Sequence, residues 1–196
     1  AAADGALPVV LPMRPLAALR PAWDAVLARH AADPDTRPLR LMAAGGGAAG
    51  IEVLLAAHAR LRALRPDRGV EASLVSRAPT LLPGLAPGAV RAAQAALQRI
   101  SARVHTGTDC TPALAAGQHL LLWATGAVPH AWQADAARRG SLAVDGAGFV
   151  QVDRHLRSVS HPQVFAVGDC AGHGPPLSKA GVHAMTFFLA RELAAD

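Results

Sequence analysis

Leu39-Arg40-Leu41-Met42-Ala43-Ala44-Gly45-Gly46-Gly47-Ala48-Ala49-Gly50-Ile51-Glu52 passes from a short apolar run, through glycine, into an amphipathic segment. Residues 39–44 are almost continuously apolar, as a parallel strand buried on both faces must be. Gly45, Gly47 and Gly50 satisfy Gly-x-Gly-x-x-Gly. Beyond them Ile51, Leu54, Leu55, His58 and Leu61 recur at the spacing of one helix face, and Pro66 stops the run.

A buried strand, a glycine loop and a helix, in that order, form a dinucleotide cradle. The first glycine permits the tight turn, the second lets backbone N–H groups approach a pyrophosphate, and the third lets the helix pack close to the strand. The phosphates then lie at the positive end of the helix. The alternative is a flexible loop in a chain rich in alanine and glycine. The following strand, residues 71–76, should carry the group that reads the adenosine ribose. An NAD site usually presents a carboxylate there, but this strand ends Leu74-Val75-Ser76-Arg77. Arg77 offers charge-assisted bonds to a 2′-phosphate, which tilts the expectation toward NADPH. The other reading of Arg77 is a solvated arginine.

Working outward, residues 7–11 read as a strand and 15–30 as a helix with Leu16, Leu19, Trp23, Val26 and Leu27 on one face. The turn-rich 33–38 marks a boundary. After the second strand come a Pro/Gly loop at 81–88, a helix at 89–100 and a third strand at 102–106. Residues 107–118 carry only a weak pattern. Another apolar strand, 119–124, stops at Thr125-Gly126. The last third holds a turn at Asp145-Gly146, strands at 149–152 and 164–167, and a closing helix at about 179–193.

Composition excludes several classes. No stretch approaches the ~20 apolar residues of a membrane span. The net charge is +5 and the sequence pI near 10.8, so a nucleic-acid surface has to be weighed. Yet Lys179 is the sole lysine, there is no tyrosine, and no aromatics interleave with the scattered arginines. The densest group, Arg60, Arg62, Arg65 and Arg68, falls where a helix ends and reads as a solvated helix terminus that complements the dipole. Cys110 and Cys170 lie far apart, without the spacing of a zinc or disulfide framework, so a reducing cytoplasmic setting is the default. Among nine histidines none falls in His-Glu-x-x-His, and His155, His161 and His173 read as loop residues.

The segment Ser160-His161-Pro162-Gln163-Val164-Phe165-Ala166-Val167-Gly168-Asp169-Cys170-Ala171, following Leu121-Leu122-Trp123-Ala124-Thr125-Gly126, resembles the pyridine nucleotide-disulfide oxidoreductase superfamily. More narrowly it is similar to the branch of type II NADH dehydrogenases and sulfide:quinone reductases. Leu11-Pro12-Met13-Arg14-Pro15-Leu16, Trp23 and Lys179-Ala180-Gly181-Val182 resemble the oxidoreductase domain fused ahead of selenide, water dikinase. The resemblance covers nearly the whole chain. It implies FAD and NAD(P)H as cofactors, with Gly168 and Asp169 ending a flavin-domain strand and the Asp169 carboxylate accepting from the ribityl chain. A plain Gly-Asp turn is the bland alternative. Thr125-Gly126 would mark the return crossing to the flavin domain, and Lys179 and Gly181 would border the flavin. Glu52 matches a family acid on the nicotinamide side, or is a solvated acid in the first helical turn.

The expected architecture is α/β: a Rossmann-like NAD(P)-binding domain at 39–126, inserted in a partial FAD-binding three-layer domain made of 1–38 and 127–196. The resemblance implies hydride transfer from NAD(P)H to flavin and on to an acceptor such as a quinone, with the cofactors carrying the chemistry. Three departures stand out. Nothing before Leu7 supplies the glycine loop that opens the flavin domain, so the chain by itself is expected to be colourless and inactive. The redox cysteine pair of the disulfide-reductase branch is missing. Residues 107–118 are too short for the strand meander that the family usually carries there. The alternatives are a non-catalytic nucleotide-binding accessory module of a selenide, water dikinase-type fusion, and a remnant that binds nothing. The expected setting is cytoplasmic, with peripheral contact on the inner membrane face allowed.

Overall fold

The computed structural model describes residues 7–126 and 128–172, which fall into two compact units divided after Gly126. In the first unit five parallel strands form one sheet: β1 (Val9–Pro12), β2 (Leu39–Ala44), β3 (Val70–Val75), β4 (Arg103–His105) and β5 (Leu120–Trp123). Their order is β1-β5-β2-β3-β4. β2 is central, and four of its six residues, Leu41, Met42, Ala43 and Ala44, are almost inaccessible. The continuous apolar run exists because both faces of this strand are covered.

Three helices line one face: α1 (Leu16–Ala32), α2 (Ala48–Leu64) and α3 (Pro87–Arg99), with α2 between the other two. α2 buries Ile51, Leu54, Ala57 and Leu61 against Leu41, Ala43, Leu74 and Leu122. His58, expected on that stripe, is only half buried; Ala57 takes the inward position. Leu16 is exposed as well, because α1 lies at the margin of this face and buries little besides His30. The other face carries a smaller cluster of Met42, Ala44, Val75, Ala115 and Leu121. It is covered by α4 (Pro112–Ala115), one turn whose N-cap Thr111 accepts from Leu114 N–H at 3.2 Å. No strand forms between β4 and β5.

The boundary expected at 38 lies inside the first unit. β1 pairs in register with β5, Val9 opposite Leu120. The turn at 33–38 is fastened to the end of α2, where Arg68 donates to Asp33 at 2.8 Å and to the Arg37 carbonyl at 2.8 Å. Arg65 also donates to the Asp33 carbonyl, at 2.6 Å. These contacts correct the reading of a solvated helix end for Arg65 and Arg68, while Arg60 and Arg62 are exposed as that reading expects. Arg68 is only 1% exposed because its acceptors come from a turn 31 to 35 residues away.

The second unit, residues 127–196, gathers a small core of Val150, Ala166 and Ala171. The strands expected at 149–152 and 164–167 are isolated bridges instead. Phe165 bridges Arg157 in the antiparallel sense, flanked by Ser158 N–H to the Val164 carbonyl and Ala166 N–H to the Leu156 carbonyl, and among the described residues this pairing extends into no longer ladder. The segment then closes in a 3-10 turn, Gly168–Cys170. The helix expected at 179–193 lies outside the described residues. Among the described residues no helix is long and apolar enough to cross a membrane, and no group of His, Cys, Asp and Glu is arranged to hold a metal.

Candidate dinucleotide site

Helices α1 to α3 carry the chain across one face toward β4, and the return to β5 crosses the other face. The order therefore changes sense between β2 and β5, and the crevice at the carboxyl ends of strands at such a point is where ligands bind in open α/β sheets. Gly45 leaves β2 and Ala124-Thr125 leaves β5, side by side: Ala124 N–H donates to the Ala44 carbonyl at 2.8 Å.

The glycines of the loop are not equivalent. Gly45 has φ +125°, and a Cβ there would press on the carbonyl of Ala124. At Gly46 it would lie 2.5 Å from Ser76 Oγ, and at Gly50 it would collide with the carbonyl of Gly45. Those three are required by the packing of loop, strand and helix. Gly47 is different. Its φ of −78° and ψ of 178° suit any residue, and a Cβ on it would meet nothing within 4 Å. Gly47 is also the N-cap of α2, and no side chain caps that end. The first-turn N–H groups lack intrahelical acceptors, so a positive helix end faces open space at the mouth of the crevice. The cradle fits a pyrophosphate.

The segment 76–82 closes one flank. Leu82, in the left-handed region at φ +50°, donates its N–H to the Gly46 carbonyl at 2.8 Å, and Leu81 and Leu82 are buried beside the loop. Ser76 is buried, and Arg77, directly beyond β3, points outward. The Arg77 guanidinium donates to Asp109 at 2.8 Å. The tip of β3 is therefore not free of carboxylate; the acid arrives from the loop after β4. Burial pushes the neighbouring Cys110 thiol upward from its ordinary range, away from thiolate chemistry.

Residues 3–184 match the family described as pyridine nucleotide-disulphide oxidoreductase. The chain belongs to this family. Dihydrolipoyl dehydrogenase of Vibrio cholerae serotype O1 (strain ATCC 39315 / El Tor Inaba N16961) is 42% identical over 72 residues, which span 37% of this chain and 14% of that protein. The fold is shared with reduced Bacillus anthracis CoADR-RHD, at a TM-score of 0.61 and 17% identity over 96% of this chain and 34% of that one. It is shared also with the Cu(II) complex of the HOCl-induced flavoprotein disulfide reductase RclA from Escherichia coli, at 0.56 and 17% over 95% and 40%. The chain thus spans a seventh to two fifths of the length of these relatives. FAD and NAD(P)H are the cofactors of the pyridine nucleotide-disulphide oxidoreductases.

Of the residues singled out in the sequence, the structure brings Gly45, Gly47, Gly50 and Thr125 together at the crevice, with Gly126 just beyond at φ +116°. Arg77 stands at the tip of β3. Glu52 is exposed on α2 as its fifth residue, past the first turn where an acid gains most from the dipole. Gly168, at φ +73°, and the exposed Asp169 belong to the second unit. Lys179 and Gly181 lie outside the described residues. Sequence reasoning placed Ser76 at the strand tip beside Arg77 but passed over Leu82 and Asp109. The doubled leucine inside a Pro/Gly loop was the available signal for Leu82; Asp109 had none, since its partner is 32 residues away.

Proposed function

We propose that the first unit is the NAD(P)H-binding part of an FAD-dependent oxidoreductase, with Gly45, Gly47, Gly50 and the N-terminus of α2 holding the pyrophosphate. The observation that carries this reading is Gly47, the one glycine of the loop that the protein's own packing does not require. When bound, the cofactors supply hydride transfer from nicotinamide to flavin. The residues here orient them: loop N–H groups fix the phosphates, Thr125 and Gly126 border the crevice, and Leu81 and Leu82 exclude water from one flank. Glu52 faces solvent on the nicotinamide side of the loop in this reading, and Gly168, Asp169, Lys179 and Gly181 serve the flavin.

The finer assignment follows the motifs. The type II NADH dehydrogenase branch, a quinone as acceptor and a cytoplasmic setting are supported by Ser160 to Ala171 and by free Cys110 and Cys170 lying in separate units. A second reading is a nucleotide-binding module in a selenide, water dikinase-type fusion, supported by the likeness of Leu11-Pro12-Met13-Arg14-Pro15-Leu16, Trp23 and Lys179-Ala180-Gly181-Val182 to such a domain.

Nicotinamide fluorescence on titration of NADH and NADPH into the chain tests the first unit: saturable binding of at least one is expected, and binding of neither at millimolar concentration refutes the reading. Asp169→Ala in a flavin-loaded parent protein tests the second. Flavin should be lost with the fold kept, because Asp169 is exposed and its replacement removes the proposed acceptor for the ribityl chain. Unchanged flavin content would reduce Asp169 to a turn residue.

A further inference from the structure

The geometry points to Asp109 as the residue that sets the choice between NADH and NADPH, by occupying Arg77 and presenting a carboxylate where the 2′ position of the adenosine ribose would lie. This inference rests on the dinucleotide reading of the glycine loop.

An exposed ion pair is weak evidence by itself, since such pairs contribute little and form readily between long side chains. Here the backbone fixes both partners. Ser76 N–H donates to the His105 carbonyl at 2.8 Å, Thr108 N–H to the Ser76 carbonyl at 2.9 Å, and Gly107 N–H to the Ala78 carbonyl at 2.9 Å. Thr108 Oγ1 closes the turn onto the Thr106 carbonyl at 3.1 Å. The loop leaving β4 is laced to the tip of β3 by three backbone bonds, two at Ser76 before Arg77 and one at Ala78 after it. Asp109, a short side chain one residue past that lacing, has little freedom to be elsewhere. Ser76 connects the same point to the cradle, because its hydroxyl lies against Gly46.

Position defines the ligand chemistry. In a strand–loop–helix–strand unit the adenosine ribose lies over the tip of the second strand, here β3. Ser76 and Arg77 occupy that tip, and Asp109 is bonded to Arg77 at 2.8 Å. A 2′-hydroxyl donates to a carboxylate and asks nothing of the guanidinium. A 2′-phosphate needs the guanidinium and is repelled by the carboxylate. Bonding between Arg77 and Asp109 therefore favours NADH, while Arg77 alone favours NADPH. The arginine that leads the sequence toward NADPH is neutralised by an acid that the sequence places out of sight.

The two partners should then shift selectivity in opposite directions. Dissociation constants for NADH and NADPH are measured by nicotinamide fluorescence in wild type, Asp109→Asn and Arg77→Gln, at low and at moderate salt. Both side chains are exposed, at 87% and 66%, so neither variant threatens the fold. Asp109→Asn should tighten NADPH about fivefold or more while weakening NADH. Arg77→Gln should weaken NADPH and leave NADH within about twofold. The Asp109→Asn gain should shrink with salt, because exposed charges are screened. If both cofactors bind and their ratio is the same in wild type and Asp109→Asn, Asp109 plays no part in selection and the inference falls alone. If neither cofactor binds any of the three proteins, the dinucleotide reading falls and takes this inference with it.

Discussion

Gly47 permits a test in which stability and binding should move in opposite directions. Its φ of −78° and ψ of 178° are the extended values of an N-cap residue, and space around it is open to 4 Å. Aspartate is among the best N-cap residues, accepting from N–H groups of the first turn. Gly47→Asp should therefore stabilise the free chain by a few tenths of a kcal/mol from capping, with about 0.3–1 kcal/mol more from the helix dipole. For a chain of this size that is a rise of about 1–4 °C in Tm. The same substitution occupies the N–H groups that a pyrophosphate would use and sets a negative charge against it. A charge-assisted hydrogen bond is worth about 1.5–3 kcal/mol, so losing two weakens binding by about a hundredfold or more.

Gly50→Ala is the control with the reverse signature. A Cβ there collides with the backbone carbonyl of Gly45, and backbone cannot step aside as a side-chain tip can. Helix propensity returns about 1 kcal/mol, but overpacking costs about 1–3 kcal/mol, so Tm should fall. Thermal melts followed by circular dichroism, with NADH and NADPH titrations on the folded proteins, give both numbers for each variant. If Gly47→Asp keeps its affinity within twofold of wild type, no phosphate approaches the loop at Gly47. If Gly47→Asp instead lowers Tm as Gly50→Ala does, the open space at Gly47 is filled by protein, and the argument that singles it out is wrong.

Asp33→Asn should destabilise the chain at pH 7 by about 1–3 kcal/mol, because the buried Arg68 guanidinium loses its charged acceptor. The Arg68 hydrogen bond holds the Asp33 carboxyl below its ordinary range, so this contribution is present above about pH 4 and is lost as the pH falls further. Urea denaturation at pH 7 and pH 3 should show wild type and Asp33→Asn converging at the lower pH, and a constant gap between them would contradict the assignment. His30 is held below its ordinary range chiefly by desolvation, so the unfolded chain takes up its proton first, and stability should fall as the pH drops below about 6.5. His30→Leu should flatten that slope between pH 7 and 5; an unaltered slope would assign it to His58 and His119, which burial shifts the same way.

What was legible in the sequence was whatever local pattern fixes. β2, the glycine loop and α2 are contiguous, and each is forced by its own residues: apolar on both faces, left-handed at Gly45, amphipathic beyond. The α/β class followed from them. Contacts between distant residues stayed out of reach. The turn at 33–38 has the composition of a linker, yet Arg65 and Arg68 seize its acceptors and make it part of the first unit. Residues 164–167 have the composition of a buried strand, yet a strand is a relation to a neighbour, and among the described residues this one has only a single antiparallel bridge, Phe165 to Arg157. The arginines gave the same lesson twice. Arg68 reads as solvated and is buried, while Arg77 reads as a waiting cation and is bonded, because in each case the partner carboxylate lies more than 30 residues away. A charge on one strand tip states a preference only once every other charge brought to that tip has been counted. For the proposed site the count includes Asp109, so in that reading cofactor choice belongs to Arg77 and to the loop after β4 together.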